Sequence, residues 1–137
     1  MFIYKTRVRL QDTDATGVLY FAQQFNMALE AFEEFLEKSG FSLRDLLKSE
    51  YLMPVVHAEG DYLAPVLVND TLQIQMGVAE IGTSSFTLTF VLHDVERKID
   101  VGKVKIVHVV IDKEKKNAVP IPDFFRSVLQ NEVIAPV

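Results

Sequence analysis

Two aspartates one residue apart, Asp12 and Asp14, precede Gly17, and an aromatic pair, Tyr20-Phe21, follows. Carboxylates just before a helix have a plain structural use, because they cap it or favour its positive end. Either aspartate would serve. The helical pattern, however, starts only near Tyr20, and Gly17 gives the backbone freedom to turn back on itself before it. That geometry sets a carboxylate beside exposed backbone N–H groups. Such a carboxylate can attack a carbonyl, or activate a water that does, while the N–H groups hold the developing oxyanion. Acyl transfer needs little more.

Other chemistries find less support. The chain has no cysteine, hence no thiolate nucleophile, disulfide framework or Cys-type zinc site. Its three histidines, His57, His93 and His108, have no second metal ligand at a standard local spacing, so no metal site is expected. Nucleophile-elbow, zincin, Walker and dinucleotide motifs are missing. His108 shares a strand face with Val104, Ile106 and Val110, which reads as a core histidine satisfied by a hydrogen bond. His93 reads as surface. Glu30, Glu33, Glu34 and Glu37 read as a solvated helix face; the alternative puts Glu30 or Glu33 in a cleft as a general base.

The elements that must position Asp14 come next. Residues 2 to 10 alternate, with Phe2, Tyr4, Thr6, Val8 and Leu10 on one face of a strand. From about residue 20 the period becomes helical for roughly five turns. Phe21, Phe25, Ala28, Leu29, Phe32, Phe35 and Leu36 form its apolar stripe, and Gln23, Gln24, Glu30, Glu34, Glu37 and Lys38 take the rest. Gly40 stops this helix, and a short one over 42–48 follows with Ser42 as N-cap. Four strands are then expected, near 55–63, 71–80, 85–94 and 101–111, the last three as a meander, before a short helix over 123–131. A lone bulky helix must bury its stripe against the sheet. The expected fold is α+β, a single domain over 1–137, with a five-stranded antiparallel sheet wrapped around one long central helix.

An apolar content of 49% supports a packed core, and a net charge of −5 argues against a nucleic-acid-binding surface. No apolar run approaches the roughly 18 residues of a membrane span, and the N-terminus lacks a signal peptide's apolar block. A cytoplasmic protein without membrane insertion is expected.

The run Asp12-Thr13-Asp14-Ala15-Thr16-Gly17-Val18-Leu19-Tyr20-Phe21 resembles the D-x-D-x-x-G-x-x-aromatic signature of hot-dog-fold acyl-CoA thioesterases of the 4-hydroxybenzoyl-CoA thioesterase group, which includes the thioesterase accompanying the Tol–Pal envelope system. Asp61-Tyr62-Leu63-Ala64-Pro65 resembles the family's aromatic-x-x-P strand end. The resemblance spans nearly the whole chain. It implies hydrolysis of an acyl-CoA thioester, with Asp14 catalytic and the Phe21 backbone N–H holding the oxyanion. Phe stands where members often carry His or Tyr, which costs side-chain help but not the backbone donor. Gly17 and Tyr20 belong to the same site, and Gly60 is a candidate second backbone contact. The turn Ile81-Gly82-Thr83-Ser84-Ser85 lacks the cation some relatives use there, which leaves Thr83 and Ser84 as candidate donors to coenzyme A phosphates; Lys103, Lys105, Lys115 and Lys116 are further possibilities. No cofactor is implied, since coenzyme A is part of the substrate. The implied assembly is a homodimer or a dimer of dimers with sites at the interface.

Pro54-Val55-Val56-His57-Ala58 is similar to a segment of cyanobacterial-type 1,4-dihydroxy-2-naphthoyl-CoA hydrolases. His57, Glu59 and Asp61 share one strand face. Either that face is wet, or His57 lines the acyl pocket and binds a phenolic group. Two other classes compete with thioester hydrolysis. A dehydratase of this fold would want a His on the central helix, which has none. A non-catalytic acyl-CoA-binding or scaffold protein would not need the Asp-x-Asp-x-x-Gly arrangement.

Overall fold

The computed structural model describes residues 1–134, and the secondary structure follows the hydrophobic periods closely. Strand β1 (Phe2–Arg7) leads through the motif loop to α1 (Gln23–Lys38) and α2 (Leu43–Lys48). The strands β2 (Tyr51–Leu52), β3 (Val55–Tyr62), β4 (Thr71–Ile81), β5 (Ser85–Asp94), β6 (Ile99–Val109) and β7 (Ile111–Asp112) follow, and α3 (Asp123–Gln130) comes last. Five strands make one antiparallel sheet in the order β1-β4-β5-β6-β3. Strands β2 and β7 form a separate two-stranded ribbon, which was not expected from the sequence.

Period-two alternation sends Leu72, Ile74, Met76 and Val78 of β4, and Phe86, Leu88, Phe90 and Leu92 of β5, to one face, where all are buried. Helix α1 lies across this face, packed on β1, β3, β4 and β6. Burial of each large side chain contributes about 1.5–3 kcal/mol. Gly40, at φ +80°, is the left-handed residue that ends α1, and the Phe41 N–H returns to the Leu36 carbonyl at 3.0 Å. Ser42 caps α2 by accepting from the Asp45 N–H at 3.1 Å.

Three expectations need correction. Strand β1 stops at Arg7, and Leu10, expected on its inner face, is 79% exposed in a one-turn 3₁₀ helix over Leu10–Asp12. Helix α1 begins at Gln23 rather than Tyr20, because residues 20–22 form a tighter turn that hands the chain from the motif loop to the helix. The stripe is also rotated. Gln24, Met27, Ala28, Ala31, Phe32, Phe35 and Leu36 are buried, whereas Phe21 and Leu29 remain partly exposed. The buried arc runs through positions 24, 28, 31 and 35, which share one helix face, so Gln24 faces inward. It fits because β6 has no side chain at Gly102, where an added Cβ would collide with Gln24 Oε1.

Among the described residues no helix is long and apolar enough to cross a membrane. Gly102→Ala is expected to destabilise the fold by about 1–3 kcal/mol through overpacking. In a Gln24→Ala background the penalty should shrink, because the colliding group is gone. Urea unfolding of the four variants measures the coupling; equal penalties in both backgrounds would remove Gln24 as the cause.

Candidate active site

The motif loop is a local turn with a long-range anchor. Asp14, Ala15, Thr16 and Gly17 form a four-residue turn in which the Gly17 N–H donates to the Asp14 carbonyl at 3.2 Å. Asp is favoured at its first position, and Gly17 at φ +80° takes a conformation that L side chains rarely adopt. The Asp14 N–H donates to the Val18 carbonyl at 2.9 Å, and Val18 and Leu19 bridge to the 66–68 segment. Tyr62 of β3 ties the loop down. Its hydroxyl donates to the Leu19 carbonyl and accepts from the Val66 N–H, both at 3.2 Å.

The two aspartates have different surroundings. Asp12 is buried. Its Oδ2 accepts from the Arg9 N–H at 2.8 Å, its Oδ1 from Gln23 Nε2 at 2.9 Å, and its carbonyl from the Tyr20 N–H at 2.9 Å. Asp12 is a clamp between the loop and the first turn of α1. Asp14 is exposed. Its Oδ1 accepts from the Thr16 N–H at 2.7 Å and the Thr16 hydroxyl at 2.6 Å, while Oδ2 accepts nothing among the described residues. The Thr16 hydroxyl and N–H bonds, with a smaller contribution from the Val18 N–H, hold the Asp14 carboxyl below its ordinary value, so it is ionised at neutral pH.

The Phe21 N–H has no acceptor among the described residues, nor does that of Ala22, although the Tyr20 N–H is taken. Around Phe21 sits an aromatic cluster. Its ring meets Phe25 edge-on at 5.9 Å between centroids and stacks on Tyr62 at 6.5 Å. Gly60 lies beside this cluster, where an added Cβ would press on the Phe25 ring at 3.1 Å. Its lack of a side chain therefore seats Phe25. The Tyr20 side chain is exposed on the same loop.

His57 is where the sequence expectation and the geometry part. It faces away from α1, on the outer side of β3, and its Nε2 pairs with Glu59 Oε1 at 3.0 Å, with Lys105 Nζ 3.8 Å from the same oxygen. The wet-face alternative describes it within this chain, because strand alternation puts His57 and Glu59 opposite to Gly60. The turn over 81–85 also differs from expectation, because a cation does reach it. Arg126 Nη2 of α3 donates to the Gly82 carbonyl at 2.8 Å and to the Thr83 carbonyl at 3.3 Å. The hydroxyls of Thr83 and Ser84 make no hydrogen bond among the described residues. Only the fold brings Arg126 here, from 44 residues away.

A cavity of about 550 Å³ opens between α1, α2 and the start of β3. Gln23 and Asn26 stand at its motif end, linked by the bond from Asn26 Nδ2 to Gln23 Oε1 at 2.8 Å. Leu29, Phe32, Leu36, Leu46 and Met53 supply apolar walls, and His108 reaches it from β6. Glu30 and Glu33 also line it, and both remain exposed to solvent. Burial, then the Asp12 charge, pushes the Glu30 carboxyl above its ordinary value. Neither this cavity nor Arg126 was visible from sequence spacing; the buried arc of α1 was the one available signal.

The chain belongs to the thioesterase-like superfamily, whose family profile matches residues 8–129. Over most of its length it is similar to proteins named 1,4-dihydroxy-2-naphthoyl-CoA hydrolase. It is 38% identical over 123 residues to that of Nostoc punctiforme, covering 89% of this chain and 82% of the relative. With that of Rippkaea orientalis it shares 33% over 122 residues, covering 88% of each. The crystal structure of a 1,4-dihydroxy-2-naphthoyl-CoA thioesterase from Synechocystis superposes with a TM-score of 0.90 at 27% identity, over 95% of this chain and 96% of that one. A gentisyl-coenzyme A thioesterase superposes at 0.82 and 26%, over 93% and 99%.

The Thr16 bonds generate a pH prediction. A carboxyl held below its ordinary value keeps its charge until the pH falls through that lowered pKa. Thr16→Val removes the hydroxyl bond and keeps the backbone one. The Asp14 pKa should rise, and the acid limb of kcat/KM should move to higher pH. Carboxyl ¹³C titration of Asp14 reads the same shift without turnover; an unmoved titration would detach Thr16 from the charge of Asp14.

Proposed function

We propose that this protein hydrolyses an acyl-CoA thioester to a free carboxylic acid and coenzyme A, with an aromatic acyl group of the 1,4-dihydroxy-2-naphthoyl kind as substrate. One observation carries the reading. Among the described residues, Oδ2 of the ionised Asp14 carboxylate makes no close hydrogen bond, and the N–H groups of Phe21 and Ala22, in the turn that leads into α1, have no acceptor. Family membership and the similarity to naphthoyl-CoA hydrolases support it.

The thioester carbonyl is held by the Phe21 N–H, which is best paired when the oxygen becomes an oxyanion. The lowered pKa of Asp14 bears on its role. A carboxylate well below neutral is a weak proton acceptor, because a general base works best with a pKa near the working pH. Attack by Oδ2 on the carbonyl carbon asks only that the group be ionised. In that route Oδ2 adds to the carbonyl carbon and the C=O electrons move onto the oxygen; their return breaks the C–S bond, coenzyme A leaves as thiolate, and water cleaves the acyl–aspartyl anhydride, one of its protons going to the thiolate. A single turnover in ¹⁸O-labelled water that leaves label in the Asp14 carboxylate supports this route over direct water attack. No cofactor enters either route. Arg126, with the free hydroxyls of Thr83 and Ser84, is the group we assign to the phosphates of coenzyme A.

The working unit is read as a homodimer, alone or paired into a tetramer. Strand β3 is an edge of the sheet, and it leaves Val55, Val56 and the adjoining Leu63 about half exposed. An unpaired apolar edge is an open template for another strand, and a second copy pairing along it joins the two sheets.

Asp14→Asn should retain the fold and lower turnover by about 10²–10⁴. Asp12→Asn should act mainly on stability, by about 1–3 kcal/mol, because it puts an amide donor against the Arg9 N–H or the Gln23 amide. Thiol release from a panel of aromatic and aliphatic acyl-CoAs, with a melt of each variant, separates the two; equal turnover losses at both positions would reassign the catalytic carboxylate. Light scattering at micromolar concentration should give at least twice the 15.5 kDa chain mass, and an active monomer would overturn the interfacial reading.

A further inference from the structure

We infer that Nε2 of His108 recognises a hydroxyl group on the acyl part of the substrate. The substrate comes from the thioesterase reading above, and the geometry comes from the cavity. Alternation along β6 sends His108 to the inner face with Val104 and Ile106, where it is 3% exposed. Its Nδ1 lies 2.9 Å from the Met53 carbonyl oxygen. A carbonyl can only accept, so the proton sits on Nδ1. Burial holds the pKa of the imidazole below its ordinary value, which keeps the ring neutral. Nε2 therefore carries a lone pair and no proton.

No group among the described residues donates to that lone pair, although the atom is buried. A buried acceptor without a donor is costly and uncommon in a folded protein. The ring is held in place, with the Phe32 centroid at 4.8 Å and the Phe86 ring stacked on it at 5.0 Å. It forms part of the wall of the 550 Å³ cavity, whose size is in the range of small-molecule sites. The ionisable groups on that wall, Glu30 and Glu33, are acceptors when charged and do not replace a missing donor. The amides of Gln23 and Asn26 stand at the opposite, motif end and are bonded to Asp12 and to each other. The missing donor is assigned to a ligand in the cavity, which reaches Nε2 by a slight displacement of the neighbouring wall, since the atom lies just beneath it.

A flat apolar group meets the other requirements of the cavity. Its thioester end enters beside Gln23, next to the Asp12–Asp14 loop. Its rings lie along Leu29, Phe32 and Met53, and an O–H at its inner end donates to Nε2. A site built to pair a hydroxyl rejects an analogue lacking it, because its own polar atom is then left unpaired. His108 is a specificity-determining residue in this arrangement.

Two measurements test this. The first is the ratio of kcat/KM for 1,4-dihydroxy-2-naphthoyl-CoA over 2-naphthoyl-CoA, which lacks hydroxyls. His108→Phe should lower the ratio by about tenfold or more, on the scale of a lost buried hydrogen bond. His108→Gln, whose Oε1 can stand near the Nε2 position, should recover part of it. A ratio unchanged in His108→Phe overturns the inference. The second uses wild-type protein with ¹⁵N-labelled imidazoles and no turnover, and so decides even if His108→Phe does not fold. The unprotonated Nε2 resonance of His108 should move when 1,4-dihydroxy-2-naphthoic acid is added, and much less with 2-naphthoic acid. A resonance that both acids leave in place overturns the inference. Failure of the wild type to hydrolyse either thioester overturns the proposed function instead, which the ¹⁵N result does not depend on.

Discussion

The motif loop depends on one buried carboxylate that ties three parts of the chain together. Asp12 receives the Arg9 N–H on one oxygen and the Gln23 amide on the other, while its carbonyl receives the Tyr20 N–H. These contacts join the end of the first strand, the motif loop and the start of α1. Bonds to a charged acceptor are roughly twice as strong as neutral ones, and breaking a buried set leaves several groups unpaired together. Without the clamp the turn at Asp14 would still form, because its bonds are local, but it would lose this tie to the turn over 20–22 and the start of α1. The shape of the site is thus divided between two scales. Residues 14–17 shape the carboxylate and its charge, and Asp12 places it.

The same division explains what could be read from the residues in order. Strict alternation in β4 and β5 made their inner faces plain, since every second residue there is large and apolar. Gly40 and Ser42 marked the end of one helix and the start of the next through conformations and bonds spanning a few residues. Asp14 and Gly17 were legible for the same reason. The rotation of α1 was not. It depends on where the turn over 20–22 releases the chain, and on Gly102, a residue of β6 that makes room for Gln24. A polar glutamine reads as surface until the partner that accommodates it is known.

Long-range pairing also decided the histidines. His57 lies in a segment that resembles naphthoyl-CoA hydrolases, yet strand parity turns it outward, to Glu59. His108 read as an ordinary core residue, and half of that holds, since Nδ1 is satisfied by Met53. The other half could not be read in advance, because a sequence shows which residue is on the inner face but not whether both ring nitrogens find partners there. Arg126 is a similar case. It reaches the turn at Gly82 only because α3 folds back over the sheet.

The cavity wall also bears on what happens after the bond is cut. Glu30 and Glu33 line it, and Asp12 is near enough to raise the Glu30 pKa. A thioester carbonyl entering there carries no charge, so these carboxylates oppose it little. Hydrolysis turns that neutral group into an anion without moving it. In the proposed reaction the product acid would then meet a negative field that its precursor did not experience, weakened by solvent because Glu30 and Glu33 are exposed. This acidic lining would therefore weaken binding of the acid more than binding of its thioester, which favours product release.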